Sequence, residues 1–500
     1  MAALSRTFKL ILLLFALLET AAGTIGIHDR TREHILVDIC KEVASTISAA
    51  SDVYYPPSAE YTADILHYAS SSMQMSACSV EPGSAEDVGV ILKIVQRTRT
   101  PFAVKSGGHA TNPGFSSTEG VHISMTRFNG VGYDPSSGTA DIGTGLIWDD
   151  VYAALAKHNV SVAGGRVSGI GVAGFTLGGG YTWLTNQHGL SLDTVEAFEL
   201  VLPDGAVTKV TSSSSPDLFF GLRGGFNNFG IVTQITLKTF AQEQVWGGQL
   251  TFTSDNLDAI VEATANFSAS NTDPKAQIIT EFNFIEGQAD VFTSIFYDGP
   301  SQPDGIFDEF LAIEAAATDI STRPLLSLVQ SAQANATAGL RGAYETVSVT
   351  SFSVGLLNVI VNETIFWGTF LEALYPSGTF VSYDIEPFFA SLFTHGSDSA
   401  YPPSRAQGLF PLNIYYAWNV SSADDFFRDK IRQSATTIKA AAVAEGQDIA
   451  DAALYSNYAV IGTSIDQIYG QNVDRLKRIK ARYDPENVMG LAGGWKIPSW

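Results

Sequence analysis

The sequence predicts a protein of mixed α and β structure that folds into two domains or more. The chain has 500 residues, of which 45% are hydrophobic and 16% charged, enough apolar material to bury large cores. Glycine clusters concentrate between residues 101 and 242, where they separate short β-branched runs. From 243 to 450, strand-like and helix-like stretches alternate with fewer glycine clusters, which indicates a second domain.

The first 23 residues have the pattern of a secretory signal peptide. Arg6 and Lys9 precede the apolar run Leu10 to Leu18, and the small residues Ala21 to Gly23 follow it. Removal of residues 1–23 would deliver a secreted protein. The apolar run is far shorter than the roughly 20 residues that a membrane-spanning helix needs, and we expect no later segment to be long enough.

The chain is strongly acidic. It contains 51 Asp and Glu against 29 Lys and Arg, which gives a net charge of -22. Such a charge repels phosphate backbones and anionic membrane surfaces. We therefore expect neither a nucleic acid nor a membrane as partner.

The two cysteines, Cys40 and Cys78, are most simply a disulfide in an oxidising compartment. No other thiol remains for a cysteine nucleophile, a zinc ribbon or an iron–sulfur site, so no metal site is expected. Sequons fit glycosylation of a secreted surface. They begin at Asn159, Asn266, Asn335, Asn362 and Asn419.

Apolar spacing predicts the secondary structure in chain order. Helical spacing begins within residues 24–70 and ends near Pro56-Pro57. A helix then begins at Ser84 to Val88, with acidic residues in its first turn. Further strands are predicted at Phe102 to Lys105, Val160 to Ala163, Val207 to Val210, Gln249 to Phe252 and Val291 to Tyr297, and further helices at Asp308 to Ala317, Asp425 to Glu445 and Val473 to Arg482.

The sharpest motif is Ser106-Gly107-Gly108-His109-Ala110. Two glycines directly after a strand allow positive φ and leave successive amide N–H groups free to point at an anion such as a pyrophosphate. The alternative is a tight turn with a histidine beside it.

A second motif, Gly169 to Gly174, matches the GxGxxG pattern of dinucleotide sites. The triplet Gly178 to Gly180 follows four residues later. Each glycine costs roughly 1 kcal/mol in a helix interior, so the long helix of an NAD site is not expected.

Two more motifs lie further along the chain. Leu222 to Thr233 is a glycine-rich turn that leads into a strand, and a hairpin or bulge explains it equally well. The tail carries Tyr455-Ser456-Asn457-Tyr458, Tyr469-Gly470 and Tyr483 to Val488. An aromatic tail of this kind is also typical of a core.

In order and spacing, the four motifs resemble the FAD-binding family that includes vanillyl-alcohol oxidase and, more narrowly, the berberine bridge enzyme-like oxidases. The resemblance covers roughly residues 60–242 and 450–498. It implies an α+β fold with a PCMH-type FAD-binding domain of two subdomains at 24–242, whose core is about 71–242. An α+β substrate domain at 243–450 would be inserted before a C-terminal segment, 451–500, that completes the FAD site.

The resemblance also implies residue roles. His109 would bond covalently to the 8α-methyl group of the flavin. Many relatives add a cysteine, whose position falls at Val167, so a single link is expected. The other implied contacts are Ser106, Gly107, Gly108 and Ala110 at the pyrophosphate, Gly171, Gly174, Gly179 and Gly180 along the ribityl chain and isoalloxazine, Ile231 and Val232 at the adenine or flavin edge, and Asn457 near the flavin.

By the same resemblance, substrate hydride passes to the flavin, a base takes an O–H or N–H proton, and O2 reoxidises the flavin to give H2O2. The candidate bases are Tyr415 and Tyr416, on a strand that would face the flavin, and Tyr455, expected to share a strand face with Asn457. An aromatic core is the alternative for all three. Asp384 and Glu386 are weaker candidates, expected on a solvated face.

The leading function is a secreted, monomeric FAD-linked oxidase of a small alcohol, amine or secondary-metabolite intermediate. The alternative is a carbohydrate or oligosaccharide oxidase, less favoured because sugar oxidases of the family typically hold FAD by two bonds. An alternative of another class is a flavin-binding protein without turnover.

Overall fold

The computed structural model describes residues 32, 34–332, 336–376 and 378–499. The predicted signal peptide and the sequon at Asn335 lie outside the described residues. The other four sequon asparagines are exposed on the surface.

The first unit is a four-stranded sheet with strand order β1-β2-β4-β3, in which β1 runs antiparallel to β2 and the other pairs are parallel. Helix α3 connects β2 to β3 and begins where predicted. Its N-cap Ser84 accepts a hydrogen bond from the Asp87 amide, and its apolar stripe is buried against the sheet. The elements are α1 (34–46), β1 (Asp52–Tyr54), α2 (Ala59–Ile65), β2 (Cys78–Glu81), α3 (Ala85–Thr98), β3 (Phe102–Lys105) and β4 (Val121–Ser124).

The disulfide prediction is confirmed. Cys40 in α1 and Cys78 at the start of β2 are joined by an S–S bond of 2.04 Å, and both side chains are fully buried. The bond therefore fastens the first helix to the first sheet.

The second unit is an antiparallel five-stranded sheet of order β5-β6-β10-β8-β9, with β7 and β11 paired separately. The GxGxxG segment leads into α5, which has only six residues, as expected from the glycine triplet that follows. The elements are β5 (Val131–Asp134), β6 (Thr139–Gly143), α4 (Trp148–Ala156), β7 (Val160–Ser161), α5 (Val172–Leu177), α6 (Thr185–His188), β8 (Val195–Val201), β9 (Val207–Thr211), α7 (Pro216–Leu222), β10 (Ile231–Lys238) and β11 (Phe240–Ala241).

The third unit is an antiparallel seven-stranded sheet of order β15-β12-β14-β13-β17-β18-β16. The helix expected over Asp308 to Ala317 is wrong in extent, because α9 ends at Ala312 and a strand begins at Ala317. The elements are β12 (Val245–Thr253), α8 (Leu257–Ser270), β13 (Ala276–Ile285), β14 (Gln288–Tyr297), α9 (Asp308–Ala312), β15 (Ala317–Arg323), α10 (Leu325–Val329), β16 (Arg341–Val349), α11 (Val354–Leu374), β17 (Phe380–Ile385), β18 (Phe410–Trp418) and α12 (Asp424–Ala444).

Helix α11 corrects the expectation that no segment beyond the N-terminus is long and apolar enough to cross a membrane. Its 21 residues meet that criterion by length and composition. One side of α11, including Leu357, Ile360 and Trp367, is buried in the core of the third unit, while Phe366 and Phe370 are exposed. The helix contacts β13, β17, α8 and α12 within the fold.

The C-terminal tail returns to the first two units. It contains α13 (Ile465–Tyr469) and α14 (Val473–Tyr483), one residue longer than predicted. Asn228 donates a hydrogen bond from Nδ2 to the Trp495 carbonyl at 2.7 Å, and Ala492 forms a parallel bridge with Phe102. The tail therefore lies against both N-terminal sheets.

Candidate functional site

A cavity of about 430 Å³ lies where the two glycine-rich units, the seven-stranded sheet and the tail meet. Such a volume and a mixed apolar and polar wall are typical of small-molecule sites. The wall is formed by parts of 104–116, 166–177, 226–232 and 279–292, by strands β16, β17 and β18, and by 455–458 and 493–495.

The loop from Ser106 to Ala110 forms one end of the cavity. The hydroxyl of Ser106 donates to the Thr144 carbonyl at 2.6 Å, and Gly108 has a φ of +71°. The amides of Gly107, Gly108 and Ala110 donate no hydrogen bond to the described residues. Amides that are left free after a strand can bind an anion, and anion binding by this loop stays a prediction.

His109 lies in the cavity wall between two tyrosines. Its ring stacks on Tyr68 with 4.1 Å between centroids, and its Nε2 is 3.3 Å from the Tyr344 hydroxyl. Burial lowers the pKa of His109 to about 4. The imidazole is therefore neutral at physiological pH and keeps a nitrogen lone pair.

The two glycine loops touch backbone to backbone. A Cβ on Gly107 would lie 2.6 Å from the Gly171 Cα, and one on Gly171 would lie 2.4 Å from the Gly107 nitrogen. Only glycine permits this approach. Gly171 also precedes α5, where Gly174 borders the cavity with no atom within 4 Å of an added Cβ.

The remaining predicted cofactor contacts divide into two groups. Ile231, Val232 and Asn457 line the cavity. Gly179 and Gly180 are not among the lining residues, and their contact with the cofactor stays a prediction. Their backbone packs behind the wall, because a Cβ on Gly179 would meet the Tyr455 and Tyr401 rings and one on Gly180 would meet Phe175 and Ser191.

Tyr455 lines the cavity and its hydroxyl accepts two hydrogen bonds, from the Gly180 amide at 3.1 Å and from Asn457 Nδ2 at 2.9 Å. Tyr455 and Asn457 lie in a turn, so the expected shared strand face is wrong, although their side chains are adjacent. Burial raises the pKa of Tyr455 to about 12, against which the two donors and the charge of Arg166 act. Burial and the charge of Glu386 also raise the pKa of Tyr458, and the charge of Arg166 opposes that rise.

Neighbouring Tyr415 and Tyr416 point to opposite faces of β18. Tyr415 lines the cavity, with its ring centroid 4.7 Å from that of Tyr344. Tyr416 lies on the helix-covered face, where its hydroxyl is 2.6 Å from that of Tyr383. The expectation that Tyr416 faces the flavin is therefore corrected.

Asp384 and Glu386 also differ from expectation. Instead of a solvated face they line the cavity, and Glu386 is buried in an ion pair with Arg166 at 2.5 Å. The Tyr458 hydroxyl donates to the other Glu386 oxygen at 3.0 Å. Burial raises the pKa of Glu386, and Arg166 opposes that rise.

The sequence reading missed Arg166, Glu281, Tyr344 and Tyr458, all of which line the cavity. One signal was present for this wall. In residues 382–386, Ser, Asp and Glu alternate with Tyr and Ile, which places polar side chains on one strand face and apolar side chains on the other.

Comparison with family models agrees with this geometry. A model described as FAD binding domain matches residues 76–211. A second, described as berberine and berberine like, matches residues 454–492. The two matches include the His109 loop, the α5 segment and the tail turn at Tyr455.

Related sequences carry FAD in their names. The FAD-dependent monooxygenase tpcD of Cochliobolus heterostrophus is 30% identical over 501 residues, which cover 92% of this chain and 94% of that protein. The FAD-dependent monooxygenase drtC of Aspergillus calidoustus is 28% identical, with coverage of 91% and 88%.

Solved structures share the fold. The 6-hydroxy-D-nicotine oxidase of Arthrobacter nicotinovorans superposes with a TM-score of 0.74 at 20% identity, covering 91% of this chain and 99% of that one. The glucooligosaccharide oxidase of Acremonium strictum, whose FAD carries cysteinyl and histidyl links, gives 0.75 at 18% identity, with coverage of 93% and 100%.

Substitution of Gly171 by alanine should open the contact between the two glycine loops, because the new Cβ would overlap the Gly107 backbone. We expect a loss of about 1–3 kcal/mol in the free energy of unfolding and a lower ratio of bound flavin to polypeptide. Denaturant titration and flavin absorbance measure the two effects.

Gly130→Ala is the matched control, since Gly130 is exposed and no atom lies within 4 Å of its added Cβ. Its stability should stay within about 0.5 kcal/mol of the wild type. Equal behaviour of the two variants would show that the loop contact is unimportant.

Proposed function

The chain belongs to the vanillyl-alcohol oxidase and berberine bridge enzyme-like family of FAD-linked oxidoreductases, and on this basis we propose that it is a secreted oxidase of a small organic substrate. The substrate is an alcohol, an amine or a biosynthetic intermediate. Bound FAD supplies the redox chemistry, accepting hydride from a substrate C–H and returning electrons to O2 to give H2O2. The protein supplies orientation, a proton acceptor and exclusion of water.

The observation that carries the proposal is the common position of the free-amide loop, the neutral His109 imidazole and Tyr455 in one cavity. Amides of Gly107, Gly108 and Ala110 fit the pyrophosphate of FAD, because they are donors without described partners in a chain of net charge -22. Gly174 borders the cavity with no atom within 4 Å of an added Cβ, so its backbone is open to a ligand there.

His109 is the residue we propose to tether the cofactor. A neutral imidazole retains the lone pair that a covalent bond to carbon requires, and burial keeps His109 neutral. Val167 also borders the cavity, but its side chain has no sulfur with which to form a second bond. We therefore propose a single covalent link.

Tyr455 is the residue we propose as proton acceptor. Two N–H donors and the Arg166 charge favour the phenolate form of Tyr455 and oppose the rise that burial causes in its pKa. Asn457 fixes its orientation from one side and the Gly180 amide from the other. Gly180 therefore acts from behind the cavity wall, by donating its amide N–H to the Tyr455 hydroxyl.

Replacement of His109 by alanine should leave FAD only reversibly bound. In the wild type, acid precipitation should retain the yellow colour in the protein pellet, and in His109→Ala the colour should appear in the supernatant. His158→Ala is the control, because His158 lies exposed on the surface and should keep the link. Release of all flavin from the wild type would contradict the tether, and a flavopeptide containing Val167 would contradict the single link.

Replacement of Tyr455 by phenylalanine should slow flavin reduction by about 10²–10⁴-fold, as expected for loss of a general base. Stopped-flow reduction without oxygen measures the rate. Tyr416→Phe is the control, because it removes a hydroxyl from the opposite face of β18 and should leave the rate unchanged. Equal rates for Tyr455→Phe and the wild type would exclude Tyr455 as the base.

A substrate panel tests the activity itself. We expect small alcohols or amines to bleach the flavin without oxygen, and air to restore the colour with one H2O2 formed per substrate oxidised. Bleaching by oligosaccharides alone would favour the carbohydrate oxidase. If ¹⁸O from ¹⁸O2 is found in the organic product, the activity is instead that of a monooxygenase, as the fungal relatives are named.

A further inference from the structure

One face of the seven-stranded sheet carries two acids in direct opposition. Glu281 on β13 pairs in register with Asp384 on β17, and Asp384 pairs with Asn413 on β18. All three side chains line the cavity. Opposed residues on neighbouring strands have Cβ atoms about 4.5–5.5 Å apart, and like charges in this arrangement are destabilising.

Glu281, Asp384 and Asn413, the acidic row, present more hydrogen-bond acceptors than the protein supplies with donors. Asp384 accepts from Ser382 Oγ at 2.5 Å and from Asn413 Nδ2 at 2.9 Å. This orientation leaves Asn413 Oδ1 buried without a partner among the described residues, in a side chain that is only 7% exposed. The Glu281 carboxyl makes no hydrogen bond or ion pair with the described part of the chain.

Positive charge is scarce along this wall. Arg166 is the one Lys or Arg among the described lining residues, and it is already paired with Glu386. The other titratable groups at the wall are His109 and Tyr68, Tyr181, Tyr344, Tyr415, Tyr455 and Tyr458, none of which supplies a cation at neutral pH.

We propose that Glu281, Asp384 and Asn413 form a subsite for a protonated amine, so that the substrate is a small amine with an apolar body. This inference rests on the proposed oxidase function and narrows its substrate class. An ammonium group offers three N–H donors, which match the unpaired Glu281 carboxyl, Asn413 Oδ1 and the charge of Asp384. The amine held here is a recognition group and undergoes no bond change at this subsite.

The surroundings favour an organic cation over other ligands. Phe292, Ile279 and Phe380 line the same wall and provide apolar contact for the body of the ligand. The described residues contain no group of three or more His, Cys, Asp or Glu side chains that could hold a metal ion. A neutral polyol carries no charge that would favour the ionised forms of Glu281 and Asp384.

The protonation state of the Glu281 and Asp384 carboxyls provides a second test of ammonium binding. Burial, reinforced by Asp384, raises the pKa of Glu281, and burial raises the pKa of Asp384 to about 7. Because the pKa is raised, each carboxyl keeps its proton up to a higher pH than an ordinary Asp or Glu does. A bound cation favours the ionised form, so ammonium binding should release protons, and its affinity should rise as pH increases towards 7 and beyond while the amine stays charged.

Calorimetric titration of the flavin-loaded protein tests the subsite with 2-phenylethylamine and its neutral analogue 2-phenylethanol as probes. We expect the ammonium compound to bind at least about ten-fold tighter, and Glu281→Gln to remove this preference. Glu262→Gln, an exposed change on α8, should retain it. Equal affinity of the two probes, or an unchanged preference in Glu281→Gln, would overturn the proposal.

Titrations in two buffers of different ionisation enthalpy measure the proton release. The subsite is supported if binding of 2-phenylethylamine below pH 7 releases protons, binding of 2-phenylethanol releases none, and Asp384→Asn reduces the release. Equal proton release for both probes overturns the proposal. Flavin content and thermal midpoint confirm that each variant is folded. Binding is scored without turnover, so the two proposals fail separately. If the whole substrate panel never bleaches the flavin, the oxidase function is contradicted, while a preference for the ammonium probe leaves the subsite standing.

Discussion

The contact between Gly107 and Gly171 is the constraint on which the site depends. Two loops from different sheets approach so closely that neither tolerates a Cβ, and their meeting fixes the amides that follow β3 and the start of α5. Because His109 lies two residues beyond Gly107, the same contact sets where its imidazole enters the cavity. The glycine density of this region is thus a packing requirement at specific positions as well as a source of turns.

Strand alternation divides the chemistry of the second half of the chain. Ser382 and Asp384 on β17 and Glu386 directly after it face the cavity, while Tyr383 and Ile385 are buried on the helix side. The same alternation separates Tyr415 from Tyr416 on β18. A single seven-stranded sheet therefore provides a polar wall for a ligand on one face and the support of a hydrophobic core on the other.

Buried charge in this cavity is arranged around one guanidinium. Arg166 neutralises Glu386, and its field also reaches Tyr455, Glu281 and Asp384. Removing either partner of such a buried pair leaves an uncompensated charge, which is far more costly than the net value of the pair. The proton acceptor and the acidic row we propose as an amine subsite therefore share a single source of positive charge.

The sequence by itself determined the local features: the helix after Ser84, the strand before Ser106, the Cys40–Cys78 bond and the glycine loops whose order resembles FAD-linked oxidases. Each follows from a cap, a short-range pattern or the only available thiol pair. Tertiary structure alone decided which tyrosine reaches the cavity, that Gly180 supports Tyr455 from behind the wall, and that Glu281 opposes Asp384. These relations join residues about one hundred to nearly three hundred positions apart through strand register and loop docking, which no local pattern encodes.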